Sequence, residues 1–127
     1  MLCHIFYFDG NEKKIAWAIQ TGSKTIEQNR DHAEIFLNKV TDLQSKYIAL
    51  HVGLFWSIGT FVIKNGDSVL VKIDTDTMYK SITSKNDSKD EFIKNRAYFI
   101  KHLITQRQLK ISYEKIERKD NLAQIVI

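Results

Sequence analysis

Thr41-Asp42-Leu43-Gln44-Ser45-Lys46-Tyr47-Ile48-Ala49-Leu50 is the stretch from which the fold is read. It opens as a capping box: a threonine oxygen accepts from the third helical N–H, and the Gln44 side chain reaches back to the threonine N–H. Leu43, Tyr47, Leu50, Leu54, Ile58 and Phe61 then recur every three or four residues. That spacing predicts one long helix with a single apolar stripe. Gly53 and Gly59 cost helix propensity, and both are expected to allow close packing on a sheet.

Working outward, two acids each sit just past an apolar run. Leu2 to Phe8 reads as a strand closed by the turn Asp9-Gly10-Asn11, and Val69 to Ile73 reads as a buried strand running into Asp74. Ile15 to Ile19 is the second strand of a hairpin made through Asp9 to Lys13. A third strand is expected over either Lys24 to Asn29 or Glu34 to Asn38. Asn65-Gly66 marks a turn, Met78 to Ile82 a short helix, and 83–89 a polar loop. Ser88-Lys89-Asp90-Glu91 is a second capping box, opening a helix to about Gln108. Phe92, Ala97, Ile100, Leu103 and Ile104 form its buried face, with Lys94, Lys101 and Arg107 off it. Lys110 to Ile116 alternates like a final strand, and a short helix or tail follows. The order is β-β-β-α-β-α-α-β-α. A three-strand meander followed by strands that arrive through helices implies parallel pairing for the latter. The expected architecture is α/β, a mixed five-stranded sheet flanked by helices.

The bulk numbers fit that architecture. The chain has 127 residues, 43% hydrophobic and 27% charged, which suits one domain over 1–127 with a single core. There is no proline, no linker and no repeat. No apolar run is long enough to span a membrane, and the apolar start lacks a basic leader, so it reads as a strand and not a signal peptide. Cys3 is the single cysteine, expected to be buried in its strand; a cytoplasmic location follows, and the sequon-like Asn86-Asp87-Ser88 is read as chance. Net charge is +4, and thirteen of the nineteen Lys and Arg residues fall between Lys64 and Lys119. Such a surface attracts phosphate backbones, or is simply a solvated face.

With these elements placed, the chain resembles a ribonuclease H-like domain, a degenerate one of the ribonuclease HI type. The family's first strand ends in an Asp-Gly-Ser-like turn, matched here by Asp9-Gly10-Asn11. Its first helix opens Thr-Asn-Asn-x-Ala-Glu-Tyr-x-Ala-Leu; Thr41, Tyr47, Ala49 and Leu50 match, while Lys46 stands in the glutamate place. Its fourth strand ends in Asp-Ser, here Asp74-Thr75. It closes with Asn-x-x-Ala-Asp, here Asn121-Leu122-Ala123-Gln124, one residue shorter and with Gln124 in the acidic place.

The resemblance implies cleavage of the RNA strand of RNA–DNA hybrids with two divalent metals, Mg or Mn, held by four acids. Hard Mg²⁺ needs oxygen ligands, and two cations close together need several negative groups. Only Asp9 and Asp74 carry over as catalytic and metal residues; Lys46 and Gln124 are the degenerate positions. Lys46 is expected between the two aspartates as a structural counter-ion. Asp76 is a candidate replacement ligand, with Glu27 and Glu34 as weaker ones; each reads more simply as a surface acid. His4, His32, His51 and His102 are scattered without metal-ligand spacing, and Trp17 and Trp56 read as core. Lys46, Lys80, Lys94, Lys101, Arg118 and Lys119 are expected to face phosphate, with Arg107 and Lys115 near them.

The leading expectation is therefore a nucleic-acid-binding protein, for an RNA–DNA hybrid or structured RNA, whose two-metal hydrolytic site is degraded. An active metal-dependent endonuclease with non-standard ligands is the second reading. A protein-interaction module on the same fold is the third, because fold alone does not assign function.

Overall fold

The computed structural model describes residues 2–84 and 88–127; the loop expected over 83–89 and the sequon-like 86–88 fall partly outside them. Five strands are present: β1 (Cys3–Gly10), β2 (Lys14–Thr21), β3 (Lys24–Asp31), β4 (Ser68–Ile73) and β5 (Lys110–Lys115). The helices are α1 (Asp42–Gly59), α2 (Asp76–Thr83), α3 (Glu91–Gln106) and α4 (Leu122–Val126), with a 3₁₀ turn at Arg118–Asp120. They build one mixed sheet in the order β3-β2-β1-β4-β5. β1 pairs antiparallel with β2, and β2 with β3; β1–β4 and β4–β5 are parallel, as expected for strands reached through helices.

The core forms where α1 lies on the first two strands. Phe6, Phe8, Trp17, Ile19, Tyr47, Leu50 and Leu54 are all buried there. Gly53 is what lets the helix lie so close: a Cβ there would stand 2.6 Å from Phe6 Cζ and 3.0 Å from Trp17 Cγ. Thr41 and Gln44 make the expected capping box reciprocally.

Several local expectations are corrected. The third strand is Lys24–Asp31, and 34–39 forms turns. The apolar stripe of α1 stops before Phe61, which adopts φ +62° after the helix ends and is exposed. Gly59 has no atom within 4 Å of a built Cβ, so close packing does not explain it. The cap of α3 is Asp90, whose Oδ1 accepts from the Phe92 and Ile93 N–H groups, while Ser88 Oγ accepts from Asp90 N. Cys3 lies at the exposed start of β1 and is not buried. Trp17 is core as expected, and Trp56 packs against it half-buried. No helix among the described residues is long and apolar enough to cross a membrane.

Candidate functional site

Parallel pairing of β1 with β4 brings their C-terminal ends side by side, and so brings Asp9 next to Asp74. The N-terminal turns of α1 then close over that end. Gly10 makes the approach possible: a Cβ there would stand 2.4 Å from Ser45 Oγ and 2.7 Å from the Ser45 backbone. His32 fixes the same contact, with Nε2 2.7 Å from Ser45 Oγ and 2.9 Å from the Asn11 carbonyl. With Ser45 seated, the next residue, Lys46, is directed at the two aspartates.

The resulting cluster is densely bonded. Lys46 Nζ donates to Asp9 Oδ1 at 2.6 Å and to Asp74 Oδ1 at 3.3 Å. Arg118, on the 3₁₀ turn, forks across the pair. Its Nη2 is 2.9 Å from Asp9 Oδ2, and its Nη1 is 3.0 Å from Asp74 Oδ2 and 3.3 Å from Asp9 Oδ1. Gly10 N donates to Asp9 Oδ1, Thr75 Oγ1 to Asp74 Oδ1, and Asn121 Nδ2 to both Asp74 Oδ2 and the Phe8 carbonyl. Every oxygen of both carboxylates therefore accepts a hydrogen bond. Two carboxylates face two cations, so the formal charge of the cluster is zero.

Burial sharpens the electrostatics. The Asp9 side chain is 2% exposed, that of Asp74 4% and that of Lys46 10%, whereas Arg118 is 52% exposed. Burial pushes the Asp74 carboxyl up, but the Asn121 amide, the Lys46 charge and the Thr75 hydroxyl together hold it below its ordinary value. The bonds to Asp9, against the opposing effect of burial, raise the Arg118 guanidinium above its usual value.

Of the residues singled out from sequence, Asp9, Asp74 and Lys46 meet here. Arg118 meets them too, as a partner of the carboxylates and not as a free surface cation. Gln124 does not: it is exposed on α4, and Asn121, the N-cap of that helix, reaches Asp74 instead. Asp76 turns to Lys115 at 3.5 Å with its side chain 78% exposed, outside the cleft. Glu27 and Glu34 are exposed on β3 and the following turn. Lys80, Lys94, Lys101 and Lys119 are exposed. Among the described residues, no three His, Cys, Asp or Glu side chains are grouped to hold a metal ion.

Arg118 and Asn121 are the members that sequence reasoning missed in this role. An asparagine directly before an apolar helical start is an N-cap signal, and Asn121 Oδ1 does accept from Ala123 N. Nothing local to Arg118 points to partners 109 and 44 residues away.

Topology and cleft together define a ribonuclease H-like fold. Ribonuclease H1 of the halophilic archaeon Halobacterium salinarum NRC-1 superposes with a TM-score of 0.75 at 16% identity, over 98% of this chain and 92% of that one. The N-terminal ribonuclease H domain of a Mycobacterium tuberculosis protein gives 0.75 at 16% identity, over 98% and 93%. LC11-RNase H1 in complex with an RNA/DNA hybrid gives 0.67 at 15% identity, over 98% and 92%. No family model matches the sequence, and no curated protein sequence matches it.

Proposed function

We propose that this chain is a nucleic-acid-binding protein that takes an RNA–DNA hybrid or structured RNA and has lost the two-metal hydrolytic step of ribonuclease H enzymes. The observation that carries the reading is the internal cation pair: Lys46 and Arg118 saturate the carboxylates that a metal pair would need.

The donor set does not fit two divalent cations. Mg²⁺ binds oxygen at about 2.1 Å in near-octahedral geometry. An ion held that way by Asp9 Oδ1, which Lys46 Nζ bonds at 2.6 Å, would lie about 4–5 Å from the ammonium. Two unit charges at about 4 Å and an effective dielectric near 20 repel by about 4 kcal/mol, and a dication doubles this to about 8 kcal/mol. No hydrolytic step is therefore assigned to these residues.

What the cluster does instead is remove repulsion. Two bare carboxylates at the cleft would oppose a phosphate backbone; neutralised, they do not, and the net +4 of the chain dominates. LC11-RNase H1 is found with an RNA/DNA hybrid, and a foamy viral protease-reverse transcriptase with double-stranded DNA. Those complexes support a duplex as the class of ligand here, gripped at phosphates and recognised by groove shape. A reducing, cytoplasmic setting suits an exposed Cys3 thiol.

Fluorescence anisotropy with labelled RNA–DNA hybrid, and a cleavage assay with Mg²⁺ and Mn²⁺, test the reading together. It expects binding that weakens steeply with salt and no cleavage. Metal-dependent cleavage abolished by Asp9→Asn would overturn the loss of hydrolysis, and absence of any binding would overturn the ligand. A protein-interaction role is favoured by one observation, the exposed Phe55, Tyr98 and Phe99 on α1 and α3. That role predicts no salt-dependent hybrid binding.

A further inference from the structure

A groove of about 240 Å³ runs between α2 and α3, away from the acid cleft. Its polar lining includes Ser81, Ser88, Lys94, Asn95, Tyr98 and Lys101, and among the described residues no carboxylate lines it. Tyr47 is buried as its back wall, hydrogen-bonded to Ser81. Lys94 and Lys101 are seven residues apart on α3, so their backbones stand about 10.5 Å apart along the axis, two helical turns on one face. Lys14, Lys46, Lys72 and Lys115 each pair with a carboxylate. Lys94 and Lys101 have no ion-pair partner among the described residues. Two ammonium groups without an ion-pair partner, over a hydroxyl-bearing groove with no carboxylate among the described residues, suit an anion. The volume lies below the roughly 300–1,000 Å³ of pockets that enclose drug-sized molecules. It suits a single small anionic group.

We propose that this groove is a phosphate-binding site, in which the Lys94 and Lys101 ammonium groups and the Ser81 and Tyr98 hydroxyls hold a backbone phosphodiester. The phosphodiester as source rests on the nucleic-acid-binding reading above; the phosphate chemistry rests on the groove itself. Free phosphate is the other source of the same group.

The test uses the full chain and its K94Q/K101Q variant, with circular dichroism to check that both are folded. Two arms run in parallel: hybrid affinity as a function of salt, and an amide NMR titration with inorganic phosphate. Loss of one neutralised phosphate is expected to lower the slope of log affinity against log salt by about 0.9. A Lys24→Gln control on β3 is expected to leave the slope within error. Inorganic phosphate is expected to shift the Ser81, Lys94 and Lys101 amides saturably in the wild type and not in the variant. A saturable shift with an unchanged hybrid slope keeps the site and assigns it to free phosphate. An unchanged slope with no phosphate shift overturns the site while leaving hybrid binding intact. If the wild type binds no hybrid, the nucleic-acid reading falls, and the phosphate titration alone decides the groove.

Discussion

Replacing Lys46 with glutamine probes the cleft directly. The substitution removes an ammonium that donates at 2.6 Å to Asp9 and 3.3 Å to Asp74, where both carboxylates are almost wholly out of water. Breaking a buried pair from one side costs about 3–5 kcal/mol, because a charge is left uncompensated. Here Arg118 still bridges both carboxylates, and Gly10 N still donates to Asp9. The loss should therefore fall at the low end, about 3 kcal/mol. For a chain of this size that is a fall in Tm of about 10 °C. The effect should depend on pH. The Asp74 carboxyl is depressed below its ordinary value of 3.8, against the upward push of burial, in part by the Lys46 charge. A depressed carboxyl contributes stability that is present above its unfolded pKa and is lost as pH falls through the folded one. The penalty of Lys46→Gln should thus be full at neutral pH and shrink below pH 3.8 as Asp74 protonates. Thermal and urea unfolding by circular dichroism, at neutral and strongly acid pH, measures both. A variant as stable as the wild type at neutral pH, or a penalty identical at both pH values, would refute the counter-ion argument.

Gly53→Ala should destabilise by about 1–3 kcal/mol through overpacking against Phe6 and Trp17, whereas Gly59→Ala, with open space around it, should cost nothing; paired Tm values check the contrast. Asp67 joins the start of β4 to β1, bonding His4 Nε2 and the Leu2 and Lys64 N–H groups, and these outweigh burial to bring its carboxyl down to about 2. Its contribution, about 2 kcal/mol, is present above pH 3.8 and lost as pH falls toward 2; Asp67→Asn should flatten that stretch of an acid unfolding curve. Thr41→Ala removes the cap of α1 and should cost about 1 kcal/mol in urea unfolding.

What could be read from sequence was what is local. The Thr41–Gln44 box, the strands ending at Asp9 and Asp74, and the element order depend on spacing along the chain, and each is present. β3 was ambiguous because it is largely exposed on both faces at the sheet edge, so it lacks the alternation that marks a half-buried strand. Phe61 misled because spacing cannot see where a helix stops. The Ser88 box stands two residues early: Asp90 caps α3, and Ser88 Oγ accepts from Asp90 N instead. At the cleft, Lys46 was indicated by the resemblance, as the residue in the place of the family's helix glutamate. Arg118 reaches the cleft from a 3₁₀ turn, and Gln124, matched to the family's closing motif with one residue fewer, stands exposed on a five-residue helix whose N-cap Asn121 bonds Asp74.

A Mn²⁺ titration of the wild-type protein, followed by paramagnetic broadening of amide NMR signals, bears most directly on the claim that Lys46 and Arg118 hold the place of a metal pair. The account predicts no saturable broadening centred on Asp9, Gly10, Asp74 and Thr75, and its appearance in a Lys46→Glu, Arg118→Ala variant. Tight, saturable broadening at those residues in the wild type would contradict it.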